Sequence, residues 1–368
     1  MSEEAPPLAR QLIERIRRDG PLPFRDFMQT ALYDAALGYY STERLKIGAA
    51  GDYYTSSNVH TAFGATLARA FAEWWRESFA DEPLTLVEMG AGTGQLAADV
   101  IAALRDEHAA LFSNLRYVIV EQSPAMQKRQ RERLVAFNER VTWSSLDTME
   151  RQPLAAIFFS NELVDALPVH RVRWNGKDID EQFVSLSGEQ LTFEWAAPSR
   201  PELISYVQQL GVSLRPNQII EINLDALDWL AGVSRAMHRG LLVTIDYGDL
   251  APLLYAADRA QGTLRSFYRH RLVDSPLERI GEQDITASVN FTALIESGRN
   301  YGFETLSYER QTAFLLRHGL IERITAMHKP DETIDDVKAR LAIKNLFVPG
   351  GASDNFRVLV QQRLEAGG

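Results

Sequence analysis

Acidic side chains recur in this chain where strands end, and the first of them stands against a run of glycines. Residues 84–94 read L-T-L-V-E-M-G-A-G-T-G. Leu84, Leu86 and Val87 have the character of a short buried strand, and Leu96, Val100, Ile101 and Leu104 follow at helical spacing. A strand that turns into a helix through Gly90, Gly92 and Gly94 offers backbone N–H groups and a helix N-terminus to a ligand. Glu88 sits at that strand's C-terminal end, the edge where open α/β sheets bind ligands. An acid there suits a ligand with a cationic or hydroxylated end and repels a pyrophosphate. Glu121 closes a second apolar strand, 117–120, where a carboxylate can accept from both hydroxyls of a ribose; a solvated acid at a strand end is the plainer alternative. A fourth, wholly apolar strand at 155–159 runs into S-N-E-L-V-D-A-L-P-V (160–169). Helix capping would account for Asn161, but not for Glu162 and Asp165 standing three residues apart.

Two cofactors compete for the glycine run. The pattern E-x-G-x-G-x-G resembles motif I of the class I S-adenosylmethionine (SAM) methyltransferases. Gly92, Gly94 and Ala97 also satisfy G-x-G-x-x-A, the dinucleotide fingerprint. That fingerprint expects an acidic ribose partner roughly 20 residues further on, and Glu121 lies beyond it. Glu88 also has no task in the dinucleotide reading. SAM is favoured, and an NAD-type oxidoreductase stays open at this point.

The chain of 368 residues exceeds the usual single-domain size, and its 45% hydrophobic content supports a sizeable core. A net charge of −10 argues against general nucleic-acid binding, though not against a basic protein substrate. With no cysteine there can be no disulfide, thiolate metal site or thiol nucleophile, and no metal is expected. The charged, helix-like start has neither an apolar leader nor transit-peptide character, and no apolar run is long enough for a membrane span. The expectation is therefore a soluble cytoplasmic protein, with an oligomer left open.

The elements that must position these residues can be followed along the sequence. Amphipathic helices are expected at 8–19 and 24–32, then a loop rich in glycine, tyrosine and hydroxyls at 47–57, then a helix at 63–79. The loop, with Tyr54 and Thr55, is a candidate pocket wall. Ser123 and Pro124 should cap and start a helix after the second strand. A short third strand at 141–143 precedes Asp147, which could meet an adenine amino group. From 170 to about 216 the pattern alternates, with Asn175-Gly176 as a hairpin turn, and reads as an inserted antiparallel piece. Residues 224–238 read as a helix. The main sheet resumes at 241–245 and closes on Asp246, Tyr247 and Gly248; stretches 263–270 and 281–286 are polar and little periodic, and 250–290 is expected to be a substrate-side segment. Strands at 304–308 and 356–361, the second antiparallel, would complete a doubly wound seven-stranded α/β sheet. The expected division is an N-terminal helical region at 1–80 and a main domain at 81–368.

With these pieces together, the chain resembles the MidA (NDUFAF7-like) family of class I SAM-dependent methyltransferases. The matching stretches are L-Y-D-A-A-L-G-Y-Y (32–40), G-D-Y-Y-T-S (51–56), E-M-G-A-G-T-G (88–94), V-E-Q-S-P (120–124), N-E-L-V-D-A-L-P-V (161–169), I-D-Y-G (245–248), G-T-L-R (262–265) and G-E-Q-D-I-T (281–286). It departs at Ile280, where proline is frequent, and at Ser288, where histidine is common. The resemblance implies a Rossmann-like fold, SAM as cofactor, and methylation of a protein arginine, with symmetric dimethylation of a respiratory complex I subunit as the eukaryotic role. It implies that Glu88, Gly90, Gly92, Gly94, Glu121, Gln122 and Asn161 hold SAM. Glu162, Asp165 and Asn161 would be catalytic, with Tyr54, Thr55, Asp246, Tyr247, His270 and Asp284 on the substrate side. His60 and His270 also read as structural. A SAM-binding assembly protein with little catalysis, gripping a partner through 170–216, is the other reading.

Overall fold

The computed structural model describes residues 6–42, 61–79, 82–269, 271–326, 333, 343 and 355–365. Tyr54, Thr55, His60, His270 and the whole of the loop at 47–57 lie outside them. The main sheet uses seven strands: β1 Thr85–Met89, β2 Arg116–Val120, β3 Val141–Ser144, β4 Leu154–Asn161, β5 Met237–Asp249, β6 Glu304–Arg310 and β7 Phe356–Arg363. Their spatial order is β6-β7-β5-β4-β1-β2-β3, parallel throughout except for β7, which runs antiparallel to both neighbours. A short eighth strand, Val289–Asn290, adds to the end of β5 off this path.

Strand alternation divides the core into two layers. Leu86, Ile157, Phe159, Val243 and Val358 face helices Ala62–Phe79, Gln95–Glu107 and Gln311–Arg317. Val87, Ala156, Phe158, Leu242 and Leu359 face helices Leu224–Ala236 and Phe291–Asn300. Both faces are covered, which is why β4 needs an unbroken apolar run. The strand order reverses beside β1, where β4 leaves one way and β2 the other, so the crevice falls at the C-terminal ends of β1 and β4.

β5 differs from expectation. It begins at Met237, because the preceding helix ends at Ala236, and it runs through Asp246 and Tyr247 to Asp249. The antiparallel β7 continues the ladder there, pairing Arg357 with Asp246 and Phe356 with Tyr247. The inserted sheet also extends past 216. It joins His170–Trp174, Ile179–Ser187 and Gln190–Ala196 to Ile219–Ile222 and to Leu22–Pro23 from the N-terminal region. Helix Pro201–Gln209 packs beside it through Leu203. Helices Pro7–Asp19 and Phe24–Tyr33 bury Leu12, Phe24 and Phe27 against this sheet and the 280–287 segment. Helix Ala62–Phe79 instead buries Phe63, Leu67, Phe71 and Trp75 in the main core.

Phe159 is fully buried on β4, with its ring centroid 4.9 Å from that of Phe71 and 6.3 Å from that of Tyr117. Its truncation leaves a cavity that rigid neighbours on a central strand cannot fill. We expect Phe159→Ala to cost about 3–5 kcal/mol in urea unfolding; a loss below about 1 kcal/mol would contradict this packing.

Candidate active site

The glycine run forms the turn between β1 and helix Gln95–Glu107. Gly90, Gly92 and Gly94 all have positive φ, at 73°, 52° and 78°. A Cβ at Gly90 would meet the end of the Leu163 side chain, Cδ1 at 2.7 Å, so its positive φ rather than space is the firm constraint. Beside it opens a cavity of about 490 Å³ that reaches Glu88, Gly92, Glu121, Gln122, Asn161 and Glu162. Helix Phe24–Tyr33 contributes Gln29 and Tyr33 to its wall, and Tyr40 follows from the segment beyond.

Glu88 is only 2% exposed, and its Oε2 accepts from Tyr117 Oη at 2.6 Å. Burial pushes its carboxyl up to about 7, the tyrosine bond opposing this in part. Glu121 accepts from the Ser123 N–H at 2.9 Å and from Gln130 Nε2 at 3.0 Å, and burial raises its pKa as well. Ser123 caps helix Pro124–Arg133 and Pro124 starts it. Asn161 Nδ2 donates to Glu162 Oε1 at 3.0 Å, while its own Oδ1 is buried with no hydrogen-bond partner among the described residues. A cavity with a positive-φ glycine cradle, a buried acid at its base, an acid at the end of β2 and an unused amide oxygen fits an adenosyl amino acid. It offers a cationic amine an acceptor and a ribose its carboxylate.

Glu162 itself stands at φ 55°, a left-handed backbone that costs a non-glycine residue about 1–3 kcal/mol. The turn is held from behind. Asp246, fully buried, accepts from the Val164 N–H at 2.9 Å, from the Asp165 N–H at 3.3 Å and from its own neighbour Tyr247 at 2.9 Å. Burial first, then the charge of Glu162, pushes Asp246 up to about 8. Asp246, expected among the substrate-side acids, lines neither cavity, and its carboxyl group accepts from three backbone donors. Asp147 stands exposed on helix Leu146–Glu150, away from the cavity wall.

A second cavity of about 240 Å³ adjoins the first, and Glu162 and Tyr40 are the described residues common to both. Asp165, Tyr247, Asp284 and Phe356 line it. Asp165 and Asp284 are 5% and 3% exposed, and Tyr40 Oη donates to Asp284 Oδ1 at 2.8 Å. Burial, then the charges of Asp246 and Asp284, raises the Asp165 pKa well above its ordinary value. Arg265 lines the same space, its guanidinium 5.6 Å from the centroid of the Tyr247 ring, so three carboxyl groups face one cation among the described lining residues and the balance is acidic.

Gln130 was not legible as a site residue. It donates to Gly92 O at 2.9 Å and to Glu121, accepts from Trp143 Nε1 at 2.8 Å, and lies 3.3 Å from where a Gly94 Cβ would stand. The available signal was its place four residues after Met126: these are the buried residues of a helix otherwise polar all round.

Residues 66–309 match the family described as "Putative S-adenosyl-L-methionine-dependent methyltransferase". The chain belongs to this family. A "likely methyl transferase" from Burkholderia thailandensis, bound to S-adenosyl-homocysteine, is 31% identical, with a TM-score of 0.88 over 98% of this chain and 92% of that one. Among curated relatives, the Drosophila melanogaster "Protein arginine methyltransferase NDUFAF7 homolog, mitochondrial" is 27% identical over 77% of this chain and 68% of its own. The Homo sapiens protein arginine methyltransferase NDUFAF7, mitochondrial, is 24% identical over 98% and 85%. The cofactor is SAM and the protein a SAM-dependent methyltransferase; the dinucleotide reading falls. The cytoplasmic expectation falls too, because these relatives are named as mitochondrial. It rested on the charged N-terminal region, and a helix that packs its apolar side on the fold carries no information on compartment.

Gly92→Val, which forces a β-branched residue into positive φ at the cradle, should abolish S-adenosyl-homocysteine binding in calorimetry while the far-UV spectrum is kept. Retained affinity would remove the glycine turn from the cofactor site. Below pH 7 Glu88 carries a proton, and a cationic ligand favours its ionised form. SAM affinity should therefore rise from pH 6 to 8 with proton release near pH 7, and Glu88→Gln should flatten the profile.

Proposed function

We propose that this chain, a member of that family, methylates the guanidinium of a protein arginine. The observation that carries the reading is the acid-lined cavity adjoining the cofactor cavity through Glu162. A guanidinium is a planar, permanent cation with forked donors, and paired carboxylates are its natural clamp. Asp165, Asp284 and Glu162 supply that clamp, Phe356 adds an aromatic wall, and the cavity's own cation, Arg265, lies over the Tyr247 ring at 5.6 Å. The name shared by the curated relatives, protein arginine methyltransferase, supports the same substrate class. The resemblance to the MidA family extends the proposal to symmetric dimethylation and to a partner related to a respiratory complex I subunit.

SAM supplies an electrophilic methyl on a sulfonium; as the acceptor nitrogen takes it, the thioether leaves and the nitrogen gives up a proton. The chain's part is positioning. In this reading Glu88, Glu121, Gln122, Asn161 and the glycine turn hold the cofactor. Glu162, strained and at the junction, orients the acceptor nitrogen towards the methyl. Asp165, whose burial and neighbours hold its pKa up, takes the departing proton.

Glu162→Gln keeps the size of the side chain and removes its charge. S-adenosyl-homocysteine affinity should change less than about threefold, while methyl transfer to an arginine-bearing protein substrate falls by roughly 10². Lost affinity with unchanged turnover per bound cofactor would move Glu162 to the cofactor and leave the acceptor to Asp165.

A further inference from the structure

Tyr40 touches both cavities, and its two ends are held by different sides of the site. Its hydroxyl donates to Asp284 Oδ1 at 2.8 Å, on the wall of the acidic cavity. Its backbone carbonyl accepts from Ser123 Oγ at 3.0 Å. Ser123 in turn caps helix Pro124–Arg133 and donates its N–H to Glu121 Oε1 at 2.9 Å, on the wall of the cofactor cavity. The ring is braced by Tyr33 at 5.4 Å and Tyr39 at 5.0 Å between centroids, and Tyr33 Oη donates to Ala166 O at 3.0 Å, just past Asp165. A continuous path of hydrogen bonds thus runs Asp284–Tyr40–Ser123–Glu121.

We propose that Tyr40 is the positioning residue that couples the two cavities, so that filling the acidic cavity tightens the cofactor and filling the cofactor cavity orders the acidic one. The coupling follows from which groups are shared. Any shift of Asp284 towards a bound cation moves the tyrosine hydroxyl that it holds. The tyrosine cannot shift without disturbing the carbonyl to which Ser123 is bonded. The Ser123 Oγ that donates to this carbonyl also accepts from the Met126 N–H in the cap, and the same residue's N–H goes to Glu121, so the three bonds share one residue. Coupling between two sites is reciprocal in binding free energy, so the effect must be readable from either side. The inference rests on the cofactor occupying the glycine-turn cavity and does not depend on the acceptor being arginine.

The test needs no acceptor. S-adenosyl-homocysteine affinity is measured by calorimetry for the full chain, for Asp284→Ala, which removes the oxygen that accepts from Tyr40, for Tyr40→Phe and for the double variant. Asp284 lines the acidic cavity and not the cofactor cavity, yet Asp284→Ala should weaken S-adenosyl-homocysteine about fivefold. Tyr40→Phe should weaken it by a similar factor while keeping the ring contacts. The double variant should be no weaker than either single, because the two substitutions cut one path. A merely structural role for Tyr40 would lower thermal stability without non-additivity in affinity. The proposal is overturned if Asp284→Ala leaves the affinity unchanged, or if the two effects multiply. Should Tyr40→Phe fail to fold, Asp284→Ala paired with Ser123→Ala closes an equivalent cycle: non-additive losses support the path, and an unchanged affinity or multiplying effects overturn it.

Discussion

The site depends on one buried acid, Asp246, that lines neither cavity. Asp246 gives up its hydration entirely and is compensated by the N–H groups of Val164, Asp165 and Tyr247. Those bonds fix the turn after β4 tightly enough to keep Glu162 in a left-handed conformation it would not otherwise choose. They also determine where Asp165 points relative to Asp284 across the smaller cavity. Because Asp246 sits on β5 and the turn follows β4, the geometry is anchored to the two central strands of the sheet, where displacement is most costly.

Electrostatically, the two cavities are prepared for unlike burdens. In the larger one, each acid is already partly engaged: Glu88 by Tyr117, Glu121 by Ser123 and Gln130. In the smaller one, burial and then the charges of Asp246 and Asp284 raise the Asp165 pKa. The first environment selects by hydrogen-bond pattern and shape. The second is distinguished by its excess of acids over the one guanidinium, Arg265, that lines it.

Much of this was legible from residue type and spacing. The glycine turn, the acids ending β1 and β2, the cap at Ser123 and the antiparallel last strand all follow from local rules, and local rules act within a few residues. The role of Asp246 was not legible. D-Y-G after an apolar run looks like a strand ending at the ligand edge, and nothing nearby announces that β7 prolongs the ladder past it. Gln130 was missed for the related reason that its three partners come from the glycine turn, from β2 and from β3. Tyr40 sat in plain view within L-Y-D-A-A-L-G-Y-Y, but a residue that joins two walls shows its task only when both walls are present.

The placing of β7 has a consequence for how the molecule comes into being. β7 inserts between β5 and β6, although both precede it in the chain, and its first residue Phe356 helps to wall the smaller cavity. On a ribosome, every described wall of the larger cavity, from Gln29 to Ala166, is made before β5 exists. The smaller cavity must wait until residue 356 has emerged, and until then β5 presents an open edge. Synthesis therefore supplies the residues of the larger cavity first and those of the smaller one last, so an unfinished chain holds the one without the other.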